Sequence, residues 1–156
     1  MMGESTLLFK SPVKNISVAV RVSSFFILVL AISACTSDDN KRWYSQQQAQ
    51  AGQKIYQDNC ATCHGKSGQS TIHWRKPGAD GRYPAPPLNG SAHTWHHSKA
   101  ALLRQIRDGS IANGGSMPAF KHSLSEAQQL QVLAAVQAFW SDEIYNHWLE
   151  IDANSL

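Results

Sequence analysis

Cys60-Ala61-Thr62-Cys63-His64 is a C-x-x-C-H pentapeptide, and its reading decides what the rest of the chain folds around. Two thiols at this spacing can each add to a vinyl group of one porphyrin while the following imidazole swings under the iron, so the motif reads as a c-type haem attachment site. A C-x-x-C pair also serves as a thioredoxin-like dithiol or as half of a zinc site. The dithiol wants a βαβ neighbourhood and the zinc site a second ligand pair. The only other cysteine is Cys35, and both flanks carry helical patterns, which favours haem.

From Gln48 up to the motif the pattern is helical, with Ala51, Ile55 and Tyr56 at helical spacing and Gly52 and Asp58 among polar residues. Beyond the motif, residues 65–83 are rich in Gly, Ser, Lys and Arg and read as loop. Lys66, Arg75, Lys76 and Arg82 there make a positive surface that is ordinarily just solvated. Pro84, Pro86 and Pro87 stiffen the next segment, because each proline fixes its own φ and disfavours helix in the residue before it. His93, His96 and His97 invite a metal reading, against which stands a polar surface cluster at a helix start. Residues 98–108 form a helix that Ser98 caps and Gly109 stops, with Leu102, Leu103 and Ile106 inward. Met117-Pro118 follows a glycine-rich loop that allows close approach and positive φ. Met117 is the only methionine beyond the first few residues, and its plain reading is a core gap-filler. Ser123 or Ser125 caps a last helix through about Trp140, with a stripe of Leu130, Leu133, Val136, Phe139 and Trp140.

The stretch from Gly52 through Tyr56 and Cys60 to Gly65 resembles the opening of a class I c-type cytochrome, in which a glycine and an aromatic residue precede the first haem cysteine by eight and four positions. The resemblance covers about residues 51–140. It implies an all-α fold, a small cytochrome c domain of three to four helices around one covalently bound haem c. Cys60 and Cys63 would carry the thioether bonds, His64 would be the proximal ligand and Met117 the distal one. In a P-x-L segment matched by Pro86 and Leu88, a proline carbonyl would accept the ring N–H of the iron-bound histidine, with Pro87 leaving the assignment ambiguous. The last helix would cross the first near Gly52 and Tyr56. The family's inward aromatic falls at Ala135, so Phe139 or Trp140 would take that contact.

Residues 1–34 have the layout of an export signal: Lys10, Lys14 and Arg21, then an apolar run over 22–34 that is too short for the roughly 20 residues a spanning helix needs. Ile32-Ser33-Ala34-Cys35 resembles the lipobox of bacterial lipoproteins, in which the cysteine is acylated. The expected organisation is a signal over 1–34, a polar tether over 35–50, the cytochrome domain over 51–141 and an acidic tail over 142–156. Two cysteines go to thioether bonds and one to lipid, leaving none for a disulfide. The sequence pI near 8.8 owes much to the leader: from Cys35 onward, 11 basic and 10 acidic side chains remain, which gives no argument for nucleic acid.

The implied work is one-electron transfer between redox partner proteins on the periplasmic side of a bacterial membrane, with no catalytic residues. A haem-based binder of small gases and an electron-input subunit of a larger oxidase or dehydrogenase are the alternatives.

Overall fold

The computed structural model describes residues 42–155, so the export signal and the lipobox with Cys35 lie outside the described residues. Five α-helices follow one another: α1 (Gln46–Asn59), α2 (Ala61–His64), α3 (Lys99–Asp108), α4 (Glu126–Gln137) and α5 (Asp142–Ala153). Single 3-10 turns lie at His93–His96 and Ile111–Asn113, and no strand occurs among the described residues. No helix among them is long and apolar enough to cross a membrane.

Helix α1 starts at Gln46 because Ser45 and Gln48 form a reciprocal capping box, so the helix begins five residues before the expected domain boundary. Its inward face is Gly52 and Tyr56, with Ile55 half-buried and Ala51 turned to solvent. The main pairing of the fold sets α1 across α4. A Cβ at Gly52 would stand 1.7 Å from the carbonyl oxygen of Gln131, so the two backbones meet where only glycine fits. One turn on, Tyr56 is wholly buried and meets Phe139 edge to face at 5.3 Å between centroids. Phe139, and not Trp140, takes the aromatic contact with Tyr56.

Helix α4 is capped by Ser125 through a second capping box and ends at Gln137, short of the expected Trp140. Its buried face is broader than an aliphatic stripe. Residues 132–137 are all inside and Gln129 is buried too, while Leu130 is only half-covered.

Residues 142–156, expected as an acidic tail, are helical over most of their length. Ser141 caps α5 by accepting from the Ile144 amide, and Asp142 and Glu143 occupy its first turn, where negative charge favours the helix dipole. Tyr145 and Trp148 fall one turn apart and are both buried. Each such ring contributes about 1.5–3 kcal/mol of burial. The expected tether is also partly docked. The Arg42 guanidinium donates to the carbonyls of Gln137 (2.8 Å) and Trp140 (3.2 Å), pairs with Asp142 at 2.7 Å and lies over the Tyr145 ring at 4.3 Å. Trp43 donates its indole N–H to Gln137 Oε1 at 2.5 Å, with the Lys99 ammonium over its ring at 3.6 Å.

Candidate haem site

The thiol pair sits at a helix break. Cys60 closes α1 with its amide donating to Tyr56 O at 2.8 Å and opens the single turn of α2, so the chain turns at the first thiol without leaving helical hydrogen bonding. The Cys63 and His64 amides both donate to Cys60 O, at 3.1 and 2.9 Å. Cys60 is half-buried, Cys63 exposed and His64 buried. The Tyr56 hydroxyl donates to Gly65 O at 2.7 Å, tying the end of the motif back to α1.

His64 is held in one tautomer. Its Nδ1 lies 2.8 Å from the carbonyl oxygen of Pro86. A carbonyl only accepts, so Nδ1 carries the proton and Nε2 keeps a free lone pair. Burial pulls the imidazole's pKa below the ordinary histidine value, and the Pro86 bond opposes that only in part. The ring is therefore neutral at neutral pH, the state in which histidine ligates metal. Pro87, the rival by spacing, instead offers its carbonyl to the Thr94 hydroxyl at 3.0 Å. The carbonyl of Leu88 accepts the indole N–H of Trp140 at 2.7 Å.

Met117 lies 57 positions after Cys60 in the chain, yet both side chains pack against one apolar group formed by Phe120, Leu124 and Val132, with Ile55 and Ile106 beside it. Its backbone is bracketed by Ser110. The Ser110 amide donates to Met117 O at 2.9 Å, and the Met117 amide donates to Ser110 Oγ at 3.1 Å. The thioether sulfur accepts from Gln105 Nε2 at 3.4 Å. The donor set thus comprises two thiols at helical spacing, a neutral imidazole with a free Nε2 and a thioether at a shared apolar wall. That set suits a covalently held haem, whose axial sites take nitrogen and soft sulfur.

The rival readings of the thiol pair fare worse. Burial, and next the neighbouring Cys63, push the Cys60 thiol up to about 11, opposite to the depressed value of a reactive dithiol. Among the described residues, no group of three or more His, Cys, Asp or Glu side chains is arranged to hold a metal ion, His93, His96 and His97 included. Those histidines lie on the 3-10 turn and just after it among aromatic rings. His93 meets Trp74 at 5.9 Å and His97 at 5.8 Å, and His96 packs on Trp95 at 3.8 Å. Trp74 also has the Arg75 guanidinium 4.7 Å from its ring centre.

Helices crossing at a glycine, a C-x-x-C-H turn beneath them and a proline carbonyl on the histidine define a c-type cytochrome domain. Residues 47–135 match the family described as cytochrome C oxidase, cbb3-type, subunit III, and the chain belongs to that family. It is 32% identical over 88 residues to the cbb3-type cytochrome c oxidase subunit CcoP of Azospirillum brasilense, a match covering 56% of this chain and 27% of the relative. Identity to CcoP of Azospirillum sp. (strain B510) is 34% over 76 residues, or 49% of this chain and 23% of that protein. The chain thus spans only about a quarter of the length of these relatives. No solved structure matches.

Proposed function

We propose that this chain is a one-electron carrier of a respiratory chain that ends in an oxidase. Cys60 and Cys63 would hold one haem c by thioether bonds, His64 would ligate through Nε2 and Met117 through its sulfur. A haem held there supplies an Fe(III)/Fe(II) couple, and thioether ligation raises its potential. The remaining residues of the site orient and exclude water. Pro86 fixes the ring of His64, and the apolar side chains of Ile55, Phe120, Leu124 and Val132 form a dry wall between the thiol pair and the Met117 loop. With His64 and Met117 both committed to iron, no open place would remain for a substrate, which suits a carrier rather than an enzyme. Membership of the oxidase subunit family favours a cbb3-type oxidase as the assembly in which the carrier works.

The observation that carries this reading is the 2.8 Å bond between Nδ1 of buried His64 and Pro86 O, which leaves the other ring nitrogen available as a ligand. For the termini, residues 1–34 would direct export and Cys35 would carry lipid. The polar link would then be short, ending where Arg42 docks.

The test is the full chain made in a host that attaches haem. Colour should survive denaturation and acid extraction, and the oxidised protein should show the weak far-red band of sulfur–iron ligation. Met117→Ala should keep the colour, lose that band, admit carbon monoxide and lower the potential by an appreciable part of the roughly 0.8 V range that axial ligands span. Colourless extracted protein would overturn haem attachment, and a Met117→Ala variant with the parent's potential would overturn the distal ligand.

A further inference from the structure

The segment that faces His64 has an unusual hydrogen-bonding problem. Pro86 and Pro87 have no N–H, so although the Leu88 amide donates to Gly68 O at 2.7 Å, no regular ladder can hold the segment. Its carbonyls are nevertheless taken one after another by side chains from distant parts of the chain. The Ser70 hydroxyl donates to Ala85 O, the His64 ring to Pro86 O, the Thr94 hydroxyl to Pro87 O and the Trp140 indole to Leu88 O. Thr94 and Trp140 are buried. Ser70 is the only described non-glycine residue at positive φ, at 56°, a left-handed conformation that disfavours a serine. It is kept there by two bonds on the same loop: its amide donates to His64 O at 2.7 Å while its hydroxyl reaches Ala85 O.

We propose that Ser70, Thr94 and Trp140 are positioning residues that hold backbone 85–88 so that the Pro86 carbonyl stays on Nδ1 of His64. This rests on His64 being the iron ligand. The contribution of Trp140 comes from outside the family match, which ends at 135, so the proximal histidine of this chain is steadied by its own C-terminal region. Trp140 in turn packs against Trp148 of α5 with centroids 6.1 Å apart, and Arg42 donates to the Trp140 carbonyl at 3.2 Å. The N-terminal approach and the last described helix thus meet at one residue, the first at its carbonyl and the second at its indole.

A ring N–H that bonds strongly to a carbonyl makes the imidazole a better donor to ferric iron, and weakening that bond raises the potential. Trp140→Phe keeps an aromatic ring, though a smaller one, and removes the donor. In the haem-loaded full chain it should raise the midpoint potential and speed solvent exchange of the His64 ring proton, followed by NMR, about five- to tenfold, as expected for losing one net hydrogen bond. Thr94→Val should act in the same direction. The comparison variant is Trp148→Phe, which removes a similar indole bond, 2.9 Å to His97 O, but touches none of the four carbonyls. Because Trp148 reaches the segment only by packing against Trp140, Trp148→Phe should shift both readouts clearly less than Trp140→Phe does. The positioning role is overturned if Trp140→Phe and Trp148→Phe shift the two readouts alike, or if Trp140→Phe shifts neither. A parent whose His64 ring proton lacks an iron-shifted resonance overturns the ligand assignment and this proposal with it, and that is read before any variant is made.

Discussion

The two flanks of the candidate haem site are built by opposite means. On the histidine side the side chain itself is fixed: His64 is buried, in one tautomer, and faces a carbonyl whose neighbours on the backbone are each bonded to a separate side chain. On the methionine side hydrogen bonds fix the backbone, while the side chain is held mainly by apolar packing. Ser110 brackets Met117 front and back, but the residue is half-exposed and its sulfur meets only an exposed glutamine by hydrogen bond. A histidine ligand needs one of two nitrogens free and one ring orientation, both of which must be set by neighbours. A thioether has no tautomer and three rotatable bonds, so delivering its Cα to the right place is enough. If His64 and Met117 are the ligands proposed above, the difference teaches that pre-organisation is spent where the ligand chemistry is ambiguous.

If the distal loop depends on backbone alone, its most sensitive point is Gly109. With φ at 67° and ψ at −159°, it occupies a region that is essentially glycine-only. A Cβ there would also stand 2.4 Å from Met117 O, a backbone atom that cannot swing aside. Gly109→Ala should therefore cost about 3 kcal/mol, combining backbone strain and a forced shift. Denaturant unfolding reads the loss, and the sulfur–iron band should weaken in the loaded protein. The histidine-side signals should be unchanged, and their collapse together with the distal ones would show that the flanks are a single unit.

Much of this arrangement was legible in the sequence, and the gaps have physical causes. Short-range chemistry read well: the Ser98 cap and the Gly109 stop are local, Ser125 is one of the two caps the sequence offered for α4, and the chain forms an all-α c-type cytochrome domain as the C-x-x-C-H stretch implies. The α1 start was read at Gln48, two residues late, because Ser45-Gln46-Gln47 looks like a polar linker, although Ser45 and Gln48 three apart are the elements of a capping box. Reading 142–156 as an acidic tail mistook the favourable charges of a helix N-terminus for a solvated run. Ile144, Tyr145, Trp148 and Leu149, at helical spacing, carried the correcting signal. Ser70, Thr94 and Trp140 left no such trace, since a side chain bonded to a backbone carbonyl across 15, 7 and 52 residues has no pattern in the chain. Pro86 and Pro87 differ in which neighbour faces each carbonyl, a matter of three-dimensional placement alone.

The contrast extends to the two thiols, because Cys60 belongs to the packed side and Cys63 to solvent. In chain made without haem, thiol alkylation at pH 8 should reach Cys63 about tenfold faster or more. Cys60 is half-buried and its thiol is pushed up to about 11, so little thiolate forms there, although the higher basicity of that thiolate returns part of the loss. Peptide mapping of a time course measures the ratio. Equal rates would mean that α1 does not hold the first thiol against the core until haem is attached.

The smallest effect should come from the one side-chain bond the distal sulfur makes. Gln105 is exposed, and its Nε2 stands 3.4 Å from Met117 Sδ, a length at which a sulfur acceptor is weakly engaged. Gln105→Leu should change stability by no more than about 0.5 kcal/mol, the ordinary range for a surface substitution. In the loaded protein the sulfur would lose a donor that draws on its lone pairs, so it would donate slightly better to ferric iron and the potential would fall a little. A loss of stability comparable to that of Gly109→Ala would mean that Met117 is anchored through its sulfur after all. The distal flank would then be fixed at the side chain, as the histidine flank is, and the division of labour between the two would fail.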